Sequence, residues 1–581
     1  MSRDNPKATG KGGEAVQAMA ARGWRLWLVF VLLVLIAAMI LAKMLALSTE
    51  EQDFLRSQGD ARSLRTMLLP AHRGLVTDRH GEPLAVSAPV ATIWADPKLV
   101  DLQNPRMRQL AQLIDMSREE LLRELNAERE RRFLYLKRQV TPELAESVSA
   151  LDIGGIHVDQ EYKRYYPAAE VTAHLVGFTS VDGEGQEGLE LAYNDWLRGE
   201  PGRKLVMKDR SGRTIKHIRS LAPAEPGQDL ALSIDLRLQY LAYRELKDAV
   251  NTHRADSGSA VVLDVRTGEV LAMVNQPSYN PNDRSNLLTS ALRNRAMTDI
   301  FEPGSTMKPL TVATALMTGR YTPDTVVDTS PGYIRVRSAT IRDHRNYGEL
   351  DLTGIITKSS NVGVTRLALD MAPDAIRNLM YNIGLGQVSG TGFPGERSGT
   401  LPFLSERQAV ERSTLAYGYG LSVTPLQLAH AYLPLASGGV QRPLSLLRVD
   451  SDKDSGAKRV MPEQVADQVL AMMETVITPK GTGRQAAVAG YRVAGKTGTA
   501  HKASGGGYAS DRYTSVFAGI APASHPRIAV AVMVDNPKGQ EYYGGEVAAP
   551  VFSRISADAL RLLNVPPDNW LDSDTRQVVM K

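Results

Sequence analysis

One uninterrupted apolar segment near the N-terminus constrains this chain more than any other feature. Leu26–Ala42, LWLVFVLLVLIAAMILA, contains no charged residue. Its length is at the lower limit for a helix that spans a bilayer, and Trp24 and Trp27 suit the membrane interface. Basic residues outnumber acidic ones before it, so we expect residues 1–23 in the cytoplasm and residues 24–43 as a membrane anchor. The chain after the anchor is then expected outside the inner membrane.

A cleaved signal peptide is the alternative interpretation of this segment. Ala46-Leu47-Ser48 offers small residues of the kind found at a cleavage site. The apolar core exceeds the usual length of a signal peptide core, about 7–15 residues, which favours an uncleaved anchor. No second segment of this kind follows, so the sequence predicts a single crossing.

Composition excludes several classes of function. The chain has 581 residues, enough for roughly two to four domains. It contains no cysteine, which excludes disulfides, thiolate catalysis and cysteine–zinc sites. The net charge of +4 is small and no basic run with interleaved aromatic residues occurs, so we expect no nucleic-acid partner. No H-E-x-x-H motif is present, and neither a metal nor another cofactor is expected.

The remainder of the chain divides into two regions of different pattern. Residues 50–225 are rich in charge and contain no compact catalytic constellation. A cluster of proline and glycine at Ala222–Gly227 indicates a boundary. Beyond it, Ser259–Gln276 predicts a hairpin, and Thr514–Pro522 with Arg527–Asp535 predicts a second strand pair. Strands at both ends with helices between them predict one sheet built from distant segments, an α+β architecture.

A serine and a lysine in GSTMKP are the first candidates for chemistry. A serine hydroxyl is a poor nucleophile at neutral pH unless a base lies within hydrogen-bond reach. Ser305 and Lys308 are three residues apart, so on a helix they share one face. Pro309 suits the first helical turn, and the apolar sequence that follows ends at Gly319, a typical C-terminal stop.

Two further motifs make the serine–lysine pair specific. S-x-x-K alone is weak, since Ser455-Gly-Ala-Lys458 also matches, within a charged stretch that is typical of a solvated loop. Ser359-Ser360-Asn361 and Lys496-Thr497-Gly498-Thr499 follow Ser305 in order. S-x-x-K, S-D-N and K-T-G together are typical of serine acyltransferases, here with Ser360 in place of the aspartate.

The C-terminal half resembles the penicillin-binding transpeptidases, and the whole chain, from about Trp24 to Pro567, resembles their class B members. The matching segments are Arg73-Gly74 with Asp78-Arg79, Arg164–Pro167, Glu187–Glu190, Phe301–Pro309, Phe393–Glu396, Ala416–Gly420 and Ala494–Ala500. The resemblance implies an elongated pedestal, or dimerisation-type, domain over residues 50–225. It also implies a transpeptidase domain over residues 226–566, a sheet sandwiched by helices, and a polar tail over residues 567–581. Among class B members the chain is most similar to the division-specific, FtsI-type peptidoglycan D,D-transpeptidases of Gram-negative bacteria.

The resemblance implies a role for each motif residue. Ser305 would attack the D-Ala-D-Ala carbonyl of a stem peptide, and Lys308, with its pKa lowered by burial near Lys496, would take the proton. Ser359 would relay a proton to the leaving D-alanine, and Asn361 would hydrogen-bond Lys308 and the substrate.

The K-T-G segment would hold the other end of the substrate. Lys496, Thr497, Gly498 and Thr499 are expected to bind the terminal carboxylate, and the backbone N–H groups of Ser305 and Thr499 would form the oxyanion hole. Elsewhere, Arg73 and Asp78 are expected to form a structural salt bridge in the pedestal. For Tyr417 and Tyr419, lining the cleft and packing in the core remain open alternatives.

Several other functions remain as alternatives. An elongation-specific class B transpeptidase would share every catalytic motif. A β-lactamase must deacylate fast, which a glutamate does in class A enzymes, and no glutamate between Asn361 and Lys496 has the sequence context of that residue. A β-lactam sensor needs a longer cytoplasmic segment, and a carboxypeptidase side reaction stays open. The partners implied are stem peptides, β-lactams, the inner membrane, an FtsW-type glycosyltransferase and other division proteins, with the catalytic domain in the periplasm.

Overall fold

The computed structural model describes residues 14–49, 57, 64–209, 214–449, 456–504 and 507–569. Our expectations for residues 1–13, for residues 570–581 of the polar tail and for Ser455 lie outside the described residues.

The predicted anchor is part of one long helix. Helix α1 runs over Glu14–Thr49, and its portion Trp24–Ser48 has a mean hydropathy of 2.9 with no part of it buried against the protein. A helix rises 1.5 Å per residue, so this portion is about 37 Å long, more than the roughly 30 Å of a bilayer core. The helix is therefore long and apolar enough to cross a membrane once.

The N-terminal region after the anchor contains two sheets. Its strands are β1 (Leu64–Leu69), β2 (Val76–Thr77), β3 (Pro83–Ala95), β4 (Leu134–Val140), β5 (Ile156–Tyr165), β6 (Gly202–Lys208), β7 (Thr214–Ala222) and β8 (Leu230–Ala231). Strands β1, β6 and β7 form one antiparallel sheet, while β4, β3, β2 and β8 lie in order in the other, with β5 paired to β3. Its helices are α2 (Met107–Leu113), α3 (Arg118–Ala127), α4 (Pro142–Ser149), α5 (Ala173–Val176), α6 (Gly188–Ala192) and α7 (Asn194–Leu197). Helices α2, α3 and α4 pack on β3, β4 and β5 around a separate apolar core.

The expected salt bridge of this region is formed by different partners. Arg73 Nε donates to Glu190 Oε2 at 2.7 Å, and Arg164 Nε donates to Glu190 Oε1 at 2.7 Å, with all three side chains buried. Asp78 instead accepts backbone N–H groups, including that of Leu236 at 3.1 Å. The expected Arg73–Asp78 pair is therefore wrong, because a buried carboxylate 117 residues along the chain takes the arginine.

The C-terminal region is built on one five-stranded antiparallel sheet, in the order β10-β9-β19-β18-β17. These strands are β9 (Ser257–Asp264), β10 (Val270–Gln276), β17 (Ala494–Ser504), β18 (Gly507–Ala521) and β19 (Ile528–Asp535). Short strand pairs lie outside this sheet: β11 (Val327–Asp328), β12 (Tyr333–Val336), β13 (Ala339–Arg342), β14 (Glu349–Leu350), β15 (Val440–Gln441) and β16 (Lys458–Arg459). The order confirms that one sheet is assembled from distant segments, with β17 at an edge.

Helices cover both faces of this sheet. They are α8 (Leu236–Thr252), α9 (Arg295–Thr298), α10 (Lys308–Met317), α11 (Leu352–Lys358), α12 (Asn361–Asp370), α13 (Ala375–Asn382), α14 (Ala409–Ala416), α15 (Pro425–Ala431), α16 (Leu433–Ala436), α17 (Glu463–Glu474) and α18 (Gly544–Leu562). Helices α8 and α18 share an apolar core with one face, and α10, α15 and α17 belong to the larger core on the other. The predicted sandwich of a sheet between helices is confirmed.

Candidate active site

A cleft of about 620 Å³ lies along strand β17, the exposed edge of the main sheet. Three segments bring the predicted residues to it: Ser305 on one side, Ser359 and Asn361 on another, and Thr497 and Thr499 along β17. Ser305 and Thr499, which are 194 positions apart in the sequence, therefore meet in one cleft. Lys308 and Lys496 lie behind its wall and are fully buried.

Ser305 lies on a short 3-10 turn that leads into a helix. The turn covers Gly304–Met307, and α10 begins directly after it at Lys308. Residues three apart eclipse each other on a 3-10 turn, so the serine and the lysine share a face as expected. The helix carries Pro309 in its first turn and is followed by Gly319 with a φ of 70°, both as the sequence predicts.

Buried contacts fix the position of this turn. The Tyr432 hydroxyl, deep in the core, donates to Thr306 O at 2.8 Å, and Gly304 N donates to Gly418 O at 3.0 Å. The Ser305 hydroxyl makes no hydrogen bond to the described part of the chain and is half-buried at the cleft wall. A fixed backbone with an uncommitted hydroxyl suits a nucleophile.

Lys308 connects the 3-10 turn of Ser305 to the second motif, Ser359–Asn361. Its ammonium group donates to Ser359 O at 2.5 Å, to Ser359 Oγ at 3.0 Å and to Asn361 Oδ1 at 2.7 Å. The expected contact with Asn361 is present, whereas no Lys308–Ser305 side-chain bond occurs in the described residues. Hydrogen bonds of catalytic pairs often tighten only in the complex with substrate, so the role of Lys308 as base stays a prediction.

Two causes lower the pKa of the Lys308 ammonium well below its usual range. Burial is the larger, and the positive charge of Lys496 is the second, while Asp343 acts in the opposite direction. Burial also lowers the pKa of Lys496, to about 7. A lysine whose neutral form is accessible near neutral pH can accept a proton from a hydroxyl.

Ser359 has an unusual backbone conformation. It ends α11 with φ 58° and ψ 43°, in the left-handed region that non-glycine residues rarely adopt. This conformation directs both its carbonyl and its hydroxyl oxygen to Lys308 Nζ. Strain of this kind is costly and is concentrated at functional sites.

The Ser360 side chain has a structural role. Its partner Asp343 is a residue of the site that the sequence did not allow us to predict. The Ser360 hydroxyl donates to Asp343 Oδ2 at 2.6 Å and accepts from Gly363 N at 2.9 Å, which caps α12. Asp343 Oδ1 accepts the backbone N–H of Asn361 at 2.5 Å. The Asp343 carboxylate therefore positions the segment Ser359–Asn361 from a separate loop. Asp343 itself lies in no sequence motif that could have identified it.

Strand β17 carries the third motif, Lys496–Thr499, close to the 3-10 turn that holds Ser305. Lys496 Nζ donates to Thr497 O at 3.2 Å, and Thr497 Oγ1 lies 2.8 Å from Thr482 Oγ1. Thr499 Oγ1 accepts Gly544 N at 2.9 Å. A β-carbon at Gly498 would lie only 2.7 Å from the Pro303 carbonyl oxygen. Gly498 thus allows β17 to approach the 3-10 turn that carries Ser305, and its expected contact with the substrate stays a prediction.

The two ends of the cleft differ in chemistry. Beyond Thr499 the wall is aromatic: the Tyr513 ring is stacked on Tyr542 with ring centroids 4.3 Å apart, and it lies tilted against His501 with centroids 4.7 Å apart. Tyr419 also lines the cleft, whereas Tyr417 packs against the large core, which resolves the two alternatives. Thr482 lies beside Thr497, and the other polar and charged residues that line the cleft include Arg484, Gln485 and Glu546.

Comparisons with known proteins agree with this geometry. Residues 258–557, about half of the chain, match the family model of the penicillin-binding protein transpeptidase domain, and residues 68–232 match that of the penicillin-binding protein dimerisation domain. The chain is 46% identical to the peptidoglycan D,D-transpeptidase FtsI of Escherichia coli, over 96% of this chain and 95% of that protein. It is 43% identical to the probable peptidoglycan D,D-transpeptidase PbpC of Pseudomonas aeruginosa, over 95% and 97%.

A solved structure shares the arrangement of both regions. Penicillin-binding protein 3 of Mycobacterium tuberculosis, complexed with aztreonam, aligns with a TM-score of 0.67 at 28% identity, over 86% of this chain and 98% of that one. The shared fold therefore extends beyond the cleft to most of the chain. Together with the two matching family models, these likenesses show that the chain belongs to the class B penicillin-binding proteins, the peptidoglycan D,D-transpeptidases that carry a dimerisation domain before the transpeptidase domain.

Proposed function

We propose that the chain crosslinks peptidoglycan at the division septum, through an acyl-enzyme formed on Ser305. One observation carries the proposal most directly. The Ser305 hydroxyl, without a partner in the described residues, stands at a cleft that it shares with Ser359, Asn361 and β17, in front of a fully buried Lys308. The transpeptidase domain is proposed over residues 226–566 and the pedestal over residues 50–225.

Acylation is the first half of the reaction. Neutral Lys308 takes the Ser305 proton as Oγ attacks the carbonyl carbon between the two terminal D-alanines, and the new C–O bond forms. The backbone N–H groups of Ser305 and Thr499 stabilise the oxyanion. As the C–N bond breaks, Ser359, which lies 3.0 Å from Lys308 Nζ, passes the proton to the departing nitrogen. D-alanine leaves, and Lys308 is neutral again.

The K-T-G segment binds the carboxylate of the terminal D-alanine. Thr497 and Thr499 expose hydroxyl groups to the cleft, and Lys496 supplies a positive charge from behind the strand. Because Lys496 has a pKa of about 7 before any carboxylate is bound, a bound carboxylate would favour its charged form. An amine from a second stem peptide then attacks the acyl-serine and closes the crosslink. Penicillins acylate the same serine.

Placement in the cell follows from the anchor. Helix α1 crosses the inner membrane once and leaves the catalytic region in the periplasm, where peptidoglycan lies. An FtsW-type glycosyltransferase and other division proteins are the proposed partners in the membrane. The likeness to FtsI of Escherichia coli over 96% of this chain supports the septal role over an elongation role.

Complementation tests the septal role. In Escherichia coli depleted of its own FtsI, we expect the full chain to restore division and to locate at midcell, whereas the Ser305→Ala variant locates there but leaves filaments. The Ser455→Ala variant, which removes the serine of the second S-x-x-K match, should divide normally. Rescue of rod shape in cells lacking the elongation transpeptidase, without rescue of division, would contradict the septal assignment.

A further inference from the structure

A small sheet that follows the anchor in sequence carries positive charge and no negative charge. It consists of β1, β6 and β7, and we call it the basic sheet. These three strands contain no aspartate or glutamate, and their basic residues include Arg65, Arg203, Lys204, Lys216 and Arg219. Lys216 and Arg219 are exposed and have no ion-pair partner in the part of the chain that the structure describes. Exposed charge of one sign indicates a partner of the opposite sign.

Three large aliphatic side chains of β7 stand at bulges among these charges. The register between β6 and β7 skips one residue of β7 at three places, and the skipped residues are Ile215, Ile218 and Leu221. They are between 40% and 64% exposed. Exposed apolar side chains that cluster, rather than occur singly, mark an interaction surface.

The edge formed by β7 does not suit a strand of another protein. Strand β7 is the last strand of the basic sheet, and bulges and lysines on an edge strand hinder pairing with a further strand. Protection from such pairing is a sufficient explanation for the bulges and for Lys216. It does not explain why each bulge exposes a large aliphatic residue, since polar side chains would protect the edge without exposing apolar surface. A partner that binds both positive charge and apolar groups explains both features.

The length of chain between the anchor and the basic sheet keeps the two close. Strand β1 begins at Leu64, fifteen positions after α1 ends at Thr49. Fifteen residues span at most about 50 Å when they are fully extended. With α1 in the membrane, as proposed above, the basic sheet therefore stays near the bilayer surface.

The basic sheet has one end that lies nearer to the anchor along the chain. Strand β1 begins, β6 ends and β7 begins at this anchor-side end, where one row across the strands consists of Leu64, Met207 and Lys216. The opposite end is flanked by carboxylates, because Glu200 and Glu225 bond to each other there through their backbones. Asp209, directly after β6, is the exception at the anchor-side end. The acidic flank therefore lies mainly away from the anchor, and Ile215 and Lys216 lie towards it.

We propose that the anchor-side end of the basic sheet docks on the anionic lipid surface of the membrane that α1 enters. Arg65, Lys216 and Arg219 contact lipid phosphates, and Ile215 and Ile218 enter the headgroup layer. Each basic side chain is attracted to such a surface, and the aliphatic side chains add apolar contact. The docked sheet holds the pedestal at the membrane. The inference rests on the placement of α1 under the proposed function.

The experiment measures whether the basic sheet meets lipid or water. Because the chain has no cysteine, one introduced cysteine carries a single fluorophore. The reporting position is Ser220→Cys, exposed on β7, and the control position is Ser290→Cys, exposed in the C-terminal region. The full chain is reconstituted into phosphatidylcholine vesicles, with or without anionic phosphatidylglycerol. A doxyl-labelled lipid quenches from the bilayer and acrylamide from water, flotation measures insertion, and penicillin labelling counts the folded chains.

Docking predicts a distinct pattern of quenching. The label on Ser220→Cys should be quenched by the doxyl lipid several-fold more with phosphatidylglycerol than without, and salt should reduce this difference. The label on Ser290→Cys should show no such difference.

Two pairs of substitutions separate charge from apolar contact. Lys216→Glu with Arg219→Glu should lower the ratio of docked to free chains about tenfold or more. Ile215→Ser with Ile218→Ser should lower this ratio several-fold and leave its salt dependence in place. The matched control is Arg118→Glu with Arg123→Glu, the same change of charge at exposed positions of α3, which should leave quenching unchanged.

Three results would overturn the proposal. The first is equal lipid quenching of the Ser220→Cys label in both kinds of vesicle with full access to acrylamide, which would leave the basic sheet to a protein partner. The second is an equal loss of quenching in the α3 control pair, which would make net charge the cause. The third is a chain that does not float with vesicles, which removes the placement of α1. Failure of penicillin labelling would instead remove the proposed transpeptidase function, whereas normal flotation and labelling with an unquenched fluorophore removes the docking alone.

Discussion

At the scale of single residues, two buried lysines set the chemistry of the cleft. Lys308 and Lys496 are both fully buried, and each stands close to a hydroxyl-bearing residue of the cleft wall. Burial disfavours the charged form of each, and the charge on Lys496 further disfavours the charge on Lys308. In the proposed mechanism, Lys308 serves as the base in its neutral form, and Lys496 is charged when a carboxylate binds.

The pH dependence of acylation tests this division. The neutral form of Lys308 is active, so the rate should rise as pH passes through its lowered pKa. Lys496→Met removes a positive neighbour, which raises the pKa of Lys308, and the rising limb should move to higher pH. The same change should lower the rate about tenfold to hundredfold through the lost contact with the carboxylate.

Penicillin acylation rates from pH 5 to pH 9 supply the measurement, and Lys496→Arg supplies the control. Arginine stays charged over this whole range, so the rising limb of that variant should not move to higher pH. A Lys496→Met profile that moves to lower pH would show that charge repulsion does not lower the pKa of Lys308.

At the scale of elements, the cleft depends on the close approach of β17 to the 3-10 turn Gly304–Met307, which carries Ser305. A β-carbon at Gly498 would lie 2.7 Å from Pro303 O and 3.0 Å from Thr306 Cγ2, both held by buried packing. The Gly498→Ala variant should therefore push the strand from the turn and lower penicillin acylation at least tenfold. Overpacking of this kind costs about 1–3 kcal/mol of stability, so the protein should still fold.

Gly154→Ala is the matched control, because a β-carbon at Gly154 would meet nothing within 4 Å. Labelling rates with fluorescent penicillin, beside melting curves, separate a local effect from unfolding. Equal labelling rates in Gly498→Ala and wild type would contradict the account of this contact.

The same elements show what the sequence could predict. Two apolar runs were sufficient to predict the hairpin of β9 and β10, and the order of the motifs was sufficient to predict that Ser305 and Ser359 lie at one cleft with Lys496 behind it. Asp343 escaped prediction, since it lies 17 residues before Ser360 in the chain with no motif around it. The hydrogen bonds from Lys308 to Ser359 also could not be predicted, because they depend on the left-handed backbone of Ser359.

At the scale of the whole molecule, one buried carboxylate, that of Glu190, holds together distant parts of the pedestal (residues 50–225) through two ion pairs. Glu190 is fully buried and binds Arg73 through one oxygen and Arg164 through the other. The apolar residues next to Glu190, such as Leu189 and Leu175, belong to the same core as the residues under the main sheet. Damage at Glu190 should therefore affect the stability of more than its own short helix.

Glu190→Gln should strongly destabilise the chain. It leaves two arginines buried without a counter-charge, and breaking a buried pair in this way costs about 3–5 kcal/mol. Thermal unfolding should begin several degrees lower than in wild type. Glu130→Gln is the control, because Glu130 pairs with Lys98 on the surface, where its side chain is 94% exposed; its melting curve should match wild type. A Glu190→Gln curve that also matches would contradict the role of this carboxylate.

The most direct test of the account is the site of the penicillin adduct. Wild-type chain and the Ser305→Ala variant are treated with a fluorescent penicillin, digested with trypsin and analysed by mass spectrometry. The account predicts a long-lived acyl adduct on the peptide that contains Ser305, absent from the variant while the variant stays folded. An adduct on another residue, or one that hydrolyses within seconds, would contradict the central claim that Ser305 forms a stable acyl-enzyme in this cleft.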